Sequence, residues 1–311
     1  MSPILPVLLP LIIVAAALAY DLAFGEYPEA VHPVVWIGRL EAYLDRFFRA
    51  YGATFGNGLA YALFCLFVVG VVTFAVLHLA YLSLVSTVVV SAFLLKSTFA
   101  IRSMLQHVNG VLDSLDRGDV QEARMRLSRL VRRDTSRMGV SHISSALIES
   151  LAEGLVDGVL GPFLFYGLFG IIGAMVYRAA NNLDSTVGYK DSTYILFGRP
   201  AALIDTLFNY VPARVSPAFI ALAGEATGRR ARGSAIEFAG LTDSANAGWP
   251  MSAMAKLLGV WLEKPGEYII NEGGRNPTPS DVRDAVRIFV LSSLLFIFIL
   301  AMPIALVRVV V

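Results

Sequence analysis

Residues Gly58–Leu95 read GLAYALFCLFVVGVVTFAVLHLAYLSLVSTVVVSAFLL, a stretch without one Asp, Glu, Lys or Arg. A single helix over these residues would extend ~57 Å at ~1.5 Å per residue, nearly twice the ~30 Å hydrocarbon thickness of a bilayer. Two membrane spans joined by a tight turn near His78–Ser86 fit the length best; one long helix projecting from the bilayer is the alternative. Outward from this pair, Pro3–Tyr20 is apolar and just long enough to cross. It lacks the positively charged start of a secretory signal, so a retained span is expected there. Val286–Val311 is also of spanning length.

The composition agrees. The 311 residues are 56% hydrophobic and 16% charged, against ~25% charged in a typical soluble domain. Net charge is +1, and no basic block suggests a nucleic-acid surface. Cys65 is the single cysteine, which excludes an intrachain disulfide and a cysteine metal site. The four histidines are too scattered for a zinc motif, so a metal here would be a hard cation on oxygen ligands. The expected fold is an all-α, polytopic integral membrane protein with cytoplasmic helical segments, read as one domain over 1–311. Spans are expected near 3–20, 58–77, 79–95 and 286–311. Two further apolar segments, 155–177 and 201–223, are undecided, and polar segments fill 21–57, 96–154, 178–200 and 224–285.

The segment after Lys96 carries Arg102, Arg117, Arg124, Arg126, Arg129, Arg132, Arg133 and Arg137. Cytoplasmic loops are enriched in such residues, which orients the chain. Leu155–Val176 is apolar but interrupted by Gly158, Gly161-Pro162, Gly167, Gly170 and Gly173. Small residues and an internal proline suit a broken or re-entrant helix that keeps both polar flanks on one side. Directly after it comes the polar run Tyr177–Lys190, expensive beside a bilayer unless it binds something.

Several constellations could carry chemistry. Glu149, Glu153 and Asp157, four residues apart, stack three carboxylates along one helix face. They could ligate Mg²⁺ or act as a general base, and a solvated face is the plain alternative. Asn181, Asn182, Asp184 and Ser185, followed by Gly188-Tyr189-Lys190, offer amides, a carboxylate and a cation, although a capped helix end explains part of the set. Asp205 and Asn209 form a polar edge on an apolar segment, with Arg214 as a potential ion-pair partner. Asn246-Ala247-Gly248-Trp249-Pro250 presents an indole that could stack on a large ring or anchor at an interface. Lys264, in a turn, is available for an anion. No phosphate loop, dinucleotide fingerprint or nucleophile elbow occurs.

In order along the chain, the residues resemble the CobD/CbiB family, the membrane-bound adenosylcobinamide-phosphate synthases of cobalamin biosynthesis. The resemblance rests on Asp21-Leu22 with His32-Pro33-Val34 and Ile37-Gly38-Arg39, on Lys96–Ser103, on Arg133-Asp134-Thr135, and on Glu149–Glu153 with Asp157-Gly158. It continues through Asn182-Leu183-Asp184-Ser185, Gly188-Tyr189, Phe197-Gly198, Pro212-Ala213-Arg214, Asn246–Pro250 and Gly259-Val260. It departs at Gly154, where the family usually has Asn, and at Ala245, often Pro. The resemblance implies joining of aminopropanol or its phosphate to a carboxylate of adenosylcobyric acid, with ATP as co-substrate and Mg²⁺ as cofactor. At the positions the resemblance marks, residue type gives metal or base roles to Glu149, Glu153 and Asp184, with Asp157 in support. Lys96, Arg102, Lys190 and Arg214 are expected to meet phosphate or carboxylate. Asn181, Asn182, Ser185, Tyr189, Asp205, Asn209, Asn246 and Trp249 are expected to line the substrate. Expected partners are the corrinoid, the aminoalcohol phosphate and lipid, with other pathway proteins or a second copy of the chain also considered; nucleic acid is not expected. A transporter and a non-catalytic membrane sensor are the rival classes.

Overall fold

The computed structural model describes residues 4–188, 194–230 and 233–310. Its helices are α1 (Ile4–Phe24), α2 (Pro33–Ala50), α3 (Phe55–Ala80), α4 (Leu84–Lys96), α5 (Ile101–Asp116), α6 (Val120–Leu127) and α7 (Val140–Leu155). A π-helical turn, Val156–Leu160, leads into α8 (Gly161–Val187), followed by α9 (Arg199–Phe208), α10 (Tyr210–Ala226) and α11 (Gly248–Leu258). A two-stranded antiparallel hairpin, β1 (Leu262–Lys264) and β2 (Tyr268–Ile270), precedes α12 (Pro279–Phe296) and α13 (Met302–Val310).

Four helical stretches are long and apolar enough to cross a membrane: Phe55–Ala80, Leu84–Asp116, Val140–Val187 and Pro279–Val309. Only 28% of the most apolar window of Phe55–Ala80 is buried within the protein. Phe64, Phe67, Val72, Phe74 and Leu79 are exposed along it. Such a surface is what lipid covers and water does not tolerate. The turn between α3 and α4 is set by a capping box. Ser83 Oγ accepts from the Ser86 amide at 3.1 Å, and Ser86 Oγ accepts from the Ser83 amide at 3.2 Å.

The glycine-rich helix is broken. Gly170 has φ 70° and ψ −158°, which no helix accommodates and which a Cβ resists. The chain folds back there into a helical hairpin. The Phe165 and Tyr177 ring centres are 5.1 Å apart, whereas a straight helix would separate these residues by ~18 Å. A Cβ on Gly161 would meet the Tyr177 hydroxyl at 2.1 Å, and one on Gly173 would meet the Phe165 carbonyl oxygen at 2.5 Å. The third apolar stretch is thus not one straight span, and both ends of the hairpin lie on one side of its turn. The segment 201–223 is divided at Asn209 into helices of 10 and 17 residues, each shorter than the ~20 residues a crossing needs.

The described residues group into two compact units. Unit 1 comprises 1–100, 161–209 and 298–311, and unit 2 comprises 101–160 and 210–297. In unit 1, α8 packs on α2, α3, α9 and α13, while α1 lies on α4. In unit 2, α12 packs on α7 and α10, and α11 on α7 and α10.

Candidate active site

Both units hold polar clusters built from residues distant in sequence. In unit 1 the cluster forms on the second arm of the α8 hairpin. Asn181 and Asn182 are adjacent, so on a helix their side chains diverge by ~100° and reach different neighbours. Asn181 Nδ2 donates to Asp205 Oδ1 on α9 at 3.2 Å, and its Oδ1 accepts from Arg178 at 3.1 Å. Asn182 Nδ2 donates to Glu41 Oε2 on α2 at 2.5 Å. Asn209, almost fully buried, donates to both Asp205 oxygens at 3.2 Å and accepts from the Tyr177 hydroxyl at 2.5 Å.

Asp184 lies one turn on, half-exposed, with its carboxylate against Gly188. A Cβ at Gly188 would stand 2.2 Å from Asp184 Oδ1, so only glycine leaves room for that carboxylate. Burial, then the neighbouring Asp184 charge, pushes the Asp205 carboxyl above its ordinary range, against its amide partners and Arg178. Asp205 itself remains only partly buried. The result is a carboxylate near neutral titration, oriented by two amides, at an accessible edge. Ser185 is exposed beside it. Tyr189 and Lys190 lie outside the described residues.

Glu41 was not among the residues singled out from the sequence. It is fully buried, and burial pushes its carboxyl up to about 8 despite the Asn182 hydrogen bond and the Arg178 charge. Its Oε1 and the Arg178 Nε have no hydrogen-bond partner among the described residues. A signal was present: Glu41 shares the buried stripe of α2 with Ile37 and Leu44. A carboxylate at that register on an amphipathic helix asks for a partner.

Lys96, expected to meet substrate, is instead fully enclosed. Its Nζ lies 3.2 Å from Asp21 and 3.1 Å from Glu26. That cation is occupied in holding the end of α4 to the residues around the end of α1.

In unit 2, Glu149 is 5% exposed and its oxygens are taken by three donors. Oε1 accepts from Ser145 at 2.7 Å and Arg133 at 3.2 Å, and Oε2 accepts from Tyr268 at 2.9 Å. Arg133 also donates to the Glu263 carbonyl at 3.1 Å. Glu149 thereby fixes Arg133 and the β-hairpin. Glu153, one turn on, is exposed. Asp157 falls in the π-helical turn that follows α7 and is half-buried. Among the described residues no group of three or more His, Cys, Asp or Glu side chains is arranged to hold a metal ion. With Glu149 saturated as well, the four expected Mg²⁺ ligands do not form a cation cage.

A second group in unit 2 joins Arg214, Asn246 and Trp249. Arg214 Nη1 donates to Asn246 Oδ1 at 3.1 Å and to the Tyr210 carbonyl at 2.9 Å. The guanidinium lies 3.3 Å from the Tyr210 ring centre and 4.9 Å from that of Trp249. Arg214 is thus stacked between aromatics. Arg102 is half-buried on α5.

The family model described as CobD/Cbib protein matches residues 14–289. A probable cobalamin biosynthesis protein CobD of Thermoplasma volcanium is 40% identical over 294 residues, 94% of this chain and 97% of the relative. Relatives with the same description from Pyrococcus abyssi and Methanocaldococcus jannaschii are 37% and 32% identical. They cover 91% and 84% of this chain, and 92% and 88% of their own lengths. No solved structure matches the chain.

Proposed function

The chain belongs to the CobD/CbiB family and its role lies in cobalamin biosynthesis; from that premise we propose that it is an adenosylcobinamide-phosphate synthase. The reaction joins aminopropanol or its phosphate to a side-chain carboxylate of adenosylcobyric acid. The observation that carries this reading is the Asn181–Asp205–Asn209 cluster: a half-buried carboxylate held by two amides, its titration pushed up by burial and by the Asp184 charge.

ATP transfers its terminal phosphoryl group to the corrinoid carboxylate, giving an acyl phosphate and ADP. The amine then attacks the acyl carbon, the C–N bond forms, the C–O bond to phosphate breaks, and phosphate leaves. A proton must leave the nitrogen, and Asp205 is the acceptor, with Asp184 beside it. A base titrating near working pH is suited to that transfer. Asn181 and Asn209 fix the direction of the Asp205 oxygens. Mg²⁺ would supply charge neutralisation to the nucleotide phosphates; among the described residues no group of three or more His, Cys, Asp or Glu side chains is arranged to hold it, and no step here depends on one. The active face is assigned to the cytoplasm, from the basic residues between Lys96 and Arg137.

The test is purified full-length protein in detergent with adenosylcobyric acid, Mg²⁺, ATP and either aminopropanol or aminopropanol phosphate. Mass spectrometry should show the amide, with one ADP per product. ATP turnover without amide, or no amide from any amine donor, would set the ligase reading aside.

A further inference from the structure

Unit 2 contains a cavity of about 350 Å³. Arg133, Arg137, His142 and Lys264 line it, together with Asp134 and Glu267. We propose that this cavity is a binding site for the phosphate group of a small phosphomonoester. The identity of the phosphate carrier rests on the synthase reading; the anion site itself does not.

Three permanent cations and two carboxylates line the cavity. Asp134 accepts from the Ser136 amide at 2.9 Å, and Glu267 lies 2.8 Å from Lys264. Arg133 is a built part of the wall. Its side chain is 11% exposed, and its guanidinium is locked by buried Glu149 and the Glu263 carbonyl. A planar donor fork held in advance loses little freedom on meeting an anion, which is the arrangement that favours phosphate recognition. Lys264 comes from β1, across from Tyr268 in the hairpin register, and Tyr268 is bound to the same Glu149. One buried carboxylate therefore positions both walls. Arg137 stands at the exposed rim, free to move onto a ligand.

An aminoalcohol phosphate carries such a phosphate on a body small enough for a cavity of about 350 Å³; a nucleotide shares only the phosphate.

The experiment is calorimetric titration of the detergent-purified full chain at low salt with four probes: inorganic phosphate, aminopropanol phosphate, aminopropanol, and a non-hydrolysable ATP analogue. Phosphate and aminopropanol phosphate should bind and aminopropanol should not. Arg137→Ala and Lys264→Ala should each weaken phosphate binding roughly tenfold, the loss of one charge-assisted hydrogen bond. Arg137→Lys should recover part of that loss. Phosphate sensitivity to these substitutions with the ATP analogue as the tighter probe would keep the site and assign it to the nucleotide. Equal binding by wild type and both alanine variants, or no phosphate binding, overturns the proposal. Phosphate binding without amide formation would leave this site standing while the synthase reading fell. Unchanged amide kinetics and binding in Arg137→Ala and Lys264→Ala would do the reverse.

Discussion

Glu41 shows what a single residue adds to the account. Its neutral form is favoured in the folded protein because burial disfavours the charge, with a folded pKa of about 8 against an ordinary 4.5. The folded state therefore holds a proton that the unfolded chain has released at neutral pH. Stability from this group is complete below about pH 4.5 and declines as pH rises toward 8. Glu41→Gln should remove that decline, so thermal midpoints measured between pH 5 and 8 should fall less steeply in the variant. A parallel slope in both proteins would show that Glu41 is ionised throughout. Lys96 makes the opposite point. Its enclosure beside the fully buried Asp21 predicts that Lys96→Met destabilises the protein by about 3–5 kcal/mol, by removing the cation next to a buried carboxylate. A variant as stable as wild type in denaturant titration, but with raised KM, would return Lys96 to the substrate. Charge and residue type alone could not separate these cases. A lysine at the end of an apolar helix reads as a substrate contact until its neighbours from α1 are known.

At the scale of elements, the glycine-rich segment was legible as a helix that could not run straight, and the structure breaks it at Gly170. Five glycines offered a place for the break, and only backbone geometry selects one. φ 70° with ψ −158° is a region that side chains resist, costing of order 1–3 kcal/mol. Gly170→Ala should therefore lower stability by about 1–3 kcal/mol, read as a drop in the thermal midpoint. Gly158→Ala, with nothing within 4 Å of the added Cβ, should change it little. The π-helical turn after α7 was not legible. An i, i+4, i+8 spacing assumes a uniform α-helix, and Asp157 falls where the α-helical ladder changes to a π-helical turn.

For the whole molecule, hydropathy was enough to read an all-helical membrane protein, because long uncharged stretches have few alternatives. The grouping of helices into two units was not readable, since each is assembled from segments far apart in the chain. Orientation is open to a direct measurement. In a Cys65→Ser background, Ser185→Cys, exposed beside Asp184, should react with a membrane-impermeant maleimide only from the cytoplasmic face. Labelling from the other face alone would reverse the proposed orientation.

The central claim is that amide formation depends on the cluster on the second arm of the α8 hairpin. It is tested most directly by mass-spectrometric measurement of adenosylcobinamide phosphate formed by Asp205→Asn and Asp184→Asn enzymes whose thermal midpoints match wild type. The account predicts a loss of roughly 100-fold or more in kcat for Asp205→Asn, the scale of removing a positioned general base. Product formation at the wild-type rate by both folded variants would contradict it.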